Sequence, residues 1–334
     1  MGTICQTFLE QEKRNLSKFA FLTVNTKGRE HPYVPCEMRT EFQRDRDRIV
    51  HCQSFRRLMN KTQVFLAPAG DHYRTRLTHT MEVSQIARII ARSLHLNEDL
   101  TEAAALGHDL GHTPFGHSGE TAMQELFSPD FTHYKQSLRV VDKLENGGKG
   151  LNLTFEVRDG IVNHTGKSQA STLEGVIVKF ADRIAYINHD IDDACRGGVL
   201  HTEEIPADLR EILGQTHGER INTMVASVIR ASENLPEIKM EPHIQEATDR
   251  LRKFLFETVY TSPVVKGEEK KAQEMIARMY EYFCKNPTRM PALYVSNIEE
   301  EGVERCVCDF IAGMTDRYAI ETYRELFIPQ VWKL

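Results

Sequence analysis

Between His108 and Glu120 the chain reads His-Asp-Leu-Gly-His-Thr-Pro-Phe-Gly-His-Ser-Gly-Glu, which puts three histidines, an aspartate and a glutamate within thirteen residues. Imidazoles and carboxylates bind borderline and hard divalent ions, and an imidazole exchanges protons near neutral pH. The apolar run from Ala103 to Leu106 predicts a helix that His108 and Asp109 end, after which the glycines and Pro114 turn the backbone tightly. Adjacent residues on a regular helix point in different directions, so an ion shared by His108 and Asp109 requires them at a frayed helix end. Further ligands must come from elsewhere, and His79 in Arg76-Leu-Thr-His79 and Asp182 in Lys179-Phe-Ala-Asp-Arg-Ile-Ala-Tyr186 are the candidates. Two histidines and two aspartates suit Mg, Mn, Fe, Co, Ni or Zn and leave positions for water and phosphate oxygens.

Proton transfer is assigned to His117 and Glu120. Ser118 is expected to cap the next helix, which puts Glu120 in its first turn, close enough for the carboxylate to orient the imidazole. His112 is a second phosphate or proton contact. Arg76 and His79 are three apart on one helix, so they share a face and the guanidinium lies beside the ion, where phosphate oxygens would be. Each residue alone has a plainer reading, His79 as a structural histidine and His117 as a hydrogen-bonding turn residue.

With these residues in order, the chain resembles the HD-superfamily metal-dependent phosphohydrolases, whose H...HD...D pattern matches His79, His108-Asp109 and Asp182. The strings Arg74-Thr-Arg-Leu-Thr-His79, His108 to Glu120 and Ile311-Ala-Gly-Met-Thr-Asp-Arg-Tyr318 further resemble the dGTPase-like deoxynucleoside triphosphate triphosphohydrolases, over a span from about Arg44 to Tyr318. That resemblance implies a mainly helical, all-α HD-domain core that releases inorganic triphosphate from a deoxynucleoside triphosphate (dNTP). It implies that His133, Arg183 and Tyr186 meet phosphates, that Gln63 lies by the sugar, and that Asp190 holds the 3′-hydroxyl. Arg317 or Tyr318 would close the base and sugar end of the pocket. It also implies a homo-oligomer, such as a hexamer, and raises an allosteric dNTP site; nucleic-acid binding is not favoured. Thr113 departs from the proline of some members, and the chain lacks the insertions of longer ones. Another HD-type nucleotidase or phosphodiesterase, or a non-catalytic sensor of dNTPs or single-stranded nucleic acid, are the rival readings.

The positioning elements are helices. Phe42, Ile49, Phe55 and Leu58 give a first buried face; Met81, Val83, Ile86, Ile89 and Ile90 form the stripe of a helix over about 78–94; and Asn97-Glu-Asp caps the helix that delivers His108. A helix over 171–194 carries Asp182, Tyr186, His189 or Asp190, and Asp193 on a polar stripe opposite Val176, Ile177, Phe180, Ile184, Ile187 and Ile191. Residues 61–70 switch to β-branched and turn residues, which predicts a short extended excursion, and Asn146-Gly-Gly-Lys-Gly150 lacks phosphate-loop spacing and reads as a turn. The expected division is an N-terminal arm over 1–35, a metal-binding core over 36–200 and a C-terminal helical lobe over 201–334.

Composition narrows the classes. A net charge of −6 argues against general nucleic-acid affinity, yet residues 39–92 hold eleven Lys or Arg against five Asp or Glu, which suggests a small polyanion held locally. Seven scattered cysteines make no disulfide framework, and no stretch has the length of a membrane span or the form of a secretion signal. The expectation is a cytoplasmic protein without a membrane partner.

Overall fold

Apolar residues spaced for helices form helices throughout. The computed structural model describes residues 3–63, 74–261 and 263–329, and among them the strand-like pairings are two isolated bridges, Arg29 with Thr154 and Thr62 with Thr75. The second of these is the described part of the extended excursion expected over 61–70; the remainder lies outside the described residues. Among the described residues no helix is long and apolar enough to cross a membrane.

The first helices are α1 (Ile4–Asn15), α2 (Glu41–His51) and α3 (Gln53–Arg57), followed by the long α4 (Arg76–Ser93) and α5 (Glu98–Gly107). After the glycine-rich turn come α6 (His117–Leu126), α7 (His133–Arg139), the single turn α8 (Glu145–Gly148), α9 (Phe155–Val162) and the 24-residue α10 (Leu173–Arg196). The remainder is α11 (Ala207–Leu213), α12 (His217–Ser232), α13 (Pro242–Thr258), α14 (Pro263–Lys285), the short α15 (Ala292–Val295) and α16 (Ile298–Glu301), then α17 (Val303–Ala312) and α18 (Asp316–Phe327).

Local chemistry sets the helix starts. Thr75 caps α4 with a hydroxyl that accepts from the Thr78 N–H, and Asn97 caps α5 by accepting from Leu100. At α6 the expectation fails: the helix begins at His117, with Ser118 inside it. Gly116 stands before it at φ 57°, ψ −129°, a conformation open to glycine. Asn146, Gly147 and Gly148 all have positive φ, as a turn requires.

Three apolar cores result. Helices α4, α5 and α10 share one with α11, α12 and α13; α2, α3, α5 and α9 surround a second; and α6 packs with α14, α17 and α18 in a third. Helices from 207–258 therefore share a core with α4, α5 and α10, while α6, which follows the His108–Glu120 run, is bedded in the C-terminal helices. Met81 and Ile89, expected on the buried stripe of α4, face outward, because α4 packs along Val83, Ile86, Ala87 and Ile90.

The N-terminal stretch is tied down in this chain. The Phe21 N–H donates to Glu174, Thr26 donates to Glu156, and the buried Arg29 guanidinium pairs with Glu41 and Asp45. Most basic residues of 39–92 are likewise neutralised: Arg46 by Asp99 and Glu102, Arg88 and Arg92 by Glu98, Arg74 by Glu82 and Asp192. Tertiary pairing has thus consumed much of the cationic run that the sequence presents as a patch.

Candidate metal centre and catalytic cleft

Helix α4 places His79 in its first turns, α5 delivers His108 and Asp109 at its end, and α10 supplies Asp182 from its middle. Their polar atoms converge. His79 Nε2 lies 3.2 Å from Asp182 Oδ1 and 4.0 Å from Asp109 Oδ2; His108 Nε2 lies 3.6 Å from Asp109 Oδ1 and 3.8 Å from Asp182 Oδ1. One atom from each of His79, His108 and Asp109 falls within 4.8 Å of the others. His108 is 0% exposed and Asp109 4%, so these groups are out of water.

The outer hydrogen bonds fix which nitrogen faces the cluster. His108 Nδ1 is 2.6 Å from the Ala105 carbonyl, which accepts only, so Nδ1 carries the proton and Nε2 is left as a lone pair. That Nε2 is buried with no hydrogen-bond partner, which a cation would satisfy and which otherwise costs about 1–3 kcal/mol. At His79 a second imidazole, His189, bonds the outer nitrogen. His189 Nε2 donates to Glu82 at 2.7 Å, so His189 Nδ1 accepts from His79 Nδ1 at 3.3 Å and the His79 Nε2 lone pair faces Asp182. Burial pushes His189 down to about 4, against the pull of Glu82, so it stays neutral in this chain of bonds. Burial would raise the Asp182 carboxyl, but the imidazoles of His79 and His108 that face it outweigh burial and hold it at about 2. At Asp109 burial is outweighed by the His108 imidazole and the Arg76 guanidinium beside it, and the carboxyl lies well below the usual range. Two ionised carboxylates and two imidazole lone pairs fit a divalent cation.

Arg76 stands beside this centre, its Nη1 2.7 Å from Asp109 Oδ2 and its buried Nε without a partner. On the other flank His112 and His133 stack with centroids 4.7 Å apart, and His112 is also within 4.8 Å of Asp109 and His133 as a possible ligand group. Glu120 is closer to His133 than to His117: its Oε2 is 3.0 Å from His133 Nδ1 and 3.7 Å from His117 Nδ1, and its Oε1 also accepts the His133 backbone N–H at 3.0 Å. Burial acts against both charges, yet the mutual interaction of Glu120 and His133 lowers the carboxyl and raises the imidazole. The His117 side chain is 80% exposed. Thus the pair expected from sequence is a trio, with His133 the nearer partner.

The sugar-end candidates differ in placement. Gln63 Oε1 and Asp190 Oδ1 are buried acceptors with no partner. Burial, with repulsion from Asp193 and Asp182, raises Asp190 well above the usual carboxyl range, and the Tyr260 hydroxyl meets its other oxygen. Tyr186 is partly buried on the same helix, and half-buried Arg183 lies 3.6 Å from Asp249. Arg317 is exposed and pairs with Glu321, while Tyr318 is 47% exposed at the edge of Phe310; neither joins the cluster. Their neighbour Asp316 instead points inward to Thr62 and Phe115.

Sequence reasoning passed over Glu82, His164, Lys61 and Asp316. Glu82 lies three residues after His79, which was a readable signal. His164 packs edge-on against His108 at 4.9 Å, but it follows α9, and no spacing links the two.

Residues 76–187 match the HD domain family, and residues 238–325 match the phosphohydrolase-associated domain family. A deoxyguanosinetriphosphate triphosphohydrolase-like protein of Caldanaerobacter subterraneus subsp. tengcongensis is 56% identical over 97% of this chain and 95% of its own length. Another, of Desulfatibacillum aliphaticivorans, is 48% identical over 98% and 99%. The crystal structure of a phosphohydrolase from Bacteroides thetaiotaomicron is similar in fold at a TM-score of 0.53, with 18% identity, over 84% of this chain and 67% of that one. With the HD signature converging at the ends and middles of three helices, and near full-length identity to those relatives, the chain belongs to the deoxyguanosinetriphosphate triphosphohydrolase-like family of HD-domain hydrolases.

Proposed function

We propose that the protein hydrolyses dNTPs to the deoxynucleoside and inorganic triphosphate. Water adds to the α-phosphorus, the bond from phosphorus to the 5′-oxygen breaks, and the 5′-oxygen leaves with a proton. The observation that carries this reading is the juxtaposition of the His79, His108, Asp109 and Asp182 cluster with buried Arg76 on one flank and the Glu120, His133 and His117 trio on the other.

His79, His108, Asp109 and Asp182 would hold the divalent cation. When bound, the cation supplies positive charge against phosphoryl oxygens and acidifies water. Arg76 adds a charge-assisted donor for the phosphates, since its Nε has no protein partner. Glu120 raises the basicity of His133 and holds it beside His112, which favours the imidazolium as an acid, and the exposed His117 completes the proton path to the water or the 5′-oxygen. Asp190, whose carboxyl burial raises, offers a hydrogen bond to the sugar 3′-hydroxyl, and the unpartnered Gln63 oxygen accepts from the sugar.

Product analysis tests this. Each of the four dNTPs, singly and mixed, is incubated with Mn or Mg and the protein, and with His117→Ala and Asp109→Ala variants shown to be folded. The expected products are triphosphate and deoxynucleoside, lost in Asp109→Ala and reduced about 100-fold or more in His117→Ala. Release of orthophosphate or pyrophosphate without triphosphate would assign the site to another HD phosphohydrolase. Tight dNTP binding without turnover would make the protein a sensor.

A further inference from the structure

We infer that Asp316, at the start of α18, is the positioning residue through which the C-terminal helices hold the His108–Glu120 turn in its working shape; the inference rests on the hydrolytic reading above. Asp316 is 4% exposed, and each of its oxygens is used. Oδ1 accepts the Phe115 N–H at 3.0 Å, while Oδ2 accepts the Thr62 N–H at 3.0 Å and the Thr62 hydroxyl at 2.5 Å.

Both anchored points flank reactive groups. Phe115 precedes His117 by two residues and has φ 61°, which a bulky side chain rarely adopts and which persists where neighbours enforce it. Its ring is buried among the C-terminal helices, so ring and N–H are gripped from the same side. Next in the chain, Gly116 at φ 57° would bring a Cβ to 3.2 Å from the Gln63 carbonyl and 3.3 Å from Arg76 Nη2, and Thr113 donates to the Gly116 carbonyl at 2.9 Å. Thr62, the other anchor, precedes Gln63, whose carbonyl accepts from Arg76. A single carboxylate therefore fixes the backbone on both sides of Arg76 and sets the start of α6, from which His117 and Glu120 project.

Aspartate is required because three donors converge on it. In Asp316→Asn the amide has one accepting oxygen, which Thr62 occupies with two donors, leaving an NH₂ against the Phe115 N–H. The control is Thr315→Ala, which removes the cap of the same helix, a hydroxyl accepting from Tyr318 N–H, and leaves both anchors in place.

The experiment measures dNTP turnover, bound metal and hydrogen exchange of the 113–117 backbone in wild type and both variants. For Asp316→Asn we expect kcat to fall about 10- to 100-fold with KM within about threefold, unchanged metal content, and exchange at Phe115 about tenfold faster. For Thr315→Ala we expect wild-type kcat and wild-type exchange at Phe115. Equal losses of kcat in the two variants would reduce Asp316 to a stabiliser of α18 and overturn the inference, as would metal loss in Asp316→Asn. If wild type releases no triphosphate from any dNTP, the hydrolytic reading fails. Unchanged Phe115 exchange in Asp316→Asn would separately overturn the anchoring.

Discussion

A histidine presents a lone pair to a cation when its other ring nitrogen keeps the proton, and at His79 that condition is met through a relay of two further residues. Glu82 accepts from His189, and His189 accepts from His79. Replacing Glu82 with Gln keeps an acceptor but removes its charge and its 3.1 Å pairing with Arg74. Removing such an outer partner typically weakens metal binding 10- to 100-fold. We expect Mn affinity of Glu82→Gln, measured by titration, to drop by about tenfold with the helix content unchanged; equal affinity would show that the relay does not set the His79 tautomer. This residue also marks the limit of what sequence offers. His79, His108, Asp109 and Asp182 could be named because each stands at a helix start, a helix end or a polar stripe, which are local features. Glu82 and His189 meet because α4 packs on α10, a tertiary fact, and Asp316 was missed beside Arg317 and Tyr318 because the inward-facing member of a helix's first turn depends on what the helix packs against.

At the scale of the element, the turn between α5 and α6 is shaped by close backbone approach as much as by ligand placement. A Cβ on Gly119 would lie 2.1 Å from the Pro114 carbonyl oxygen, and one on Gly111 would lie 2.1 Å from the Ser137 nitrogen, so the turn meets α6 on one side and α7 on the other within the space of a missing methyl. Gly119→Ala must move backbone, and we expect it to lower stability by about 3 kcal/mol and to abolish turnover. Gly218→Ala is the contrast: its Cβ meets nothing within 4 Å in helix α12, so stability should rise by roughly 0.5–1 kcal/mol. Urea denaturation compares the two, and equal effects would refute the steric account. The glycines were legible as a turn. Their contacts were not, and neither was the start of α6, where Gly116 takes the place that Ser118 was expected to hold.

At the scale of the whole molecule, a lysine joins the turn to the C-terminal helices. Lys61 is 2% exposed, and its Nζ donates to the His112 carbonyl in the turn and, at 2.9 Å, to the Ala312 carbonyl at the end of α17. Burial, with the nearby charges of Arg57 and Arg76 and against those of Asp316 and Asp109, pushes its pKa down to about 7. In the unfolded chain a lysine stays protonated to about 10.4. Between those values the unfolded state binds the extra proton, so folding stability gained from this residue rises with pH from about 7 to about 10, and below 7 the full cost of burying an ammonium remains. Lys61→Met has no such proton. The stability of wild type relative to Lys61→Met should therefore increase by a few kcal/mol from pH 6 to pH 10, measured by urea denaturation at each pH. A neutral amine still donates to both carbonyls, so the link between the turn and α17 survives the loss of charge. A difference that stayed level across that range would mean that Asp316 and Asp109 retain the ammonium in the fold, and the turn would then be bound to the C-terminal helices by an ion whose field also reaches the metal centre.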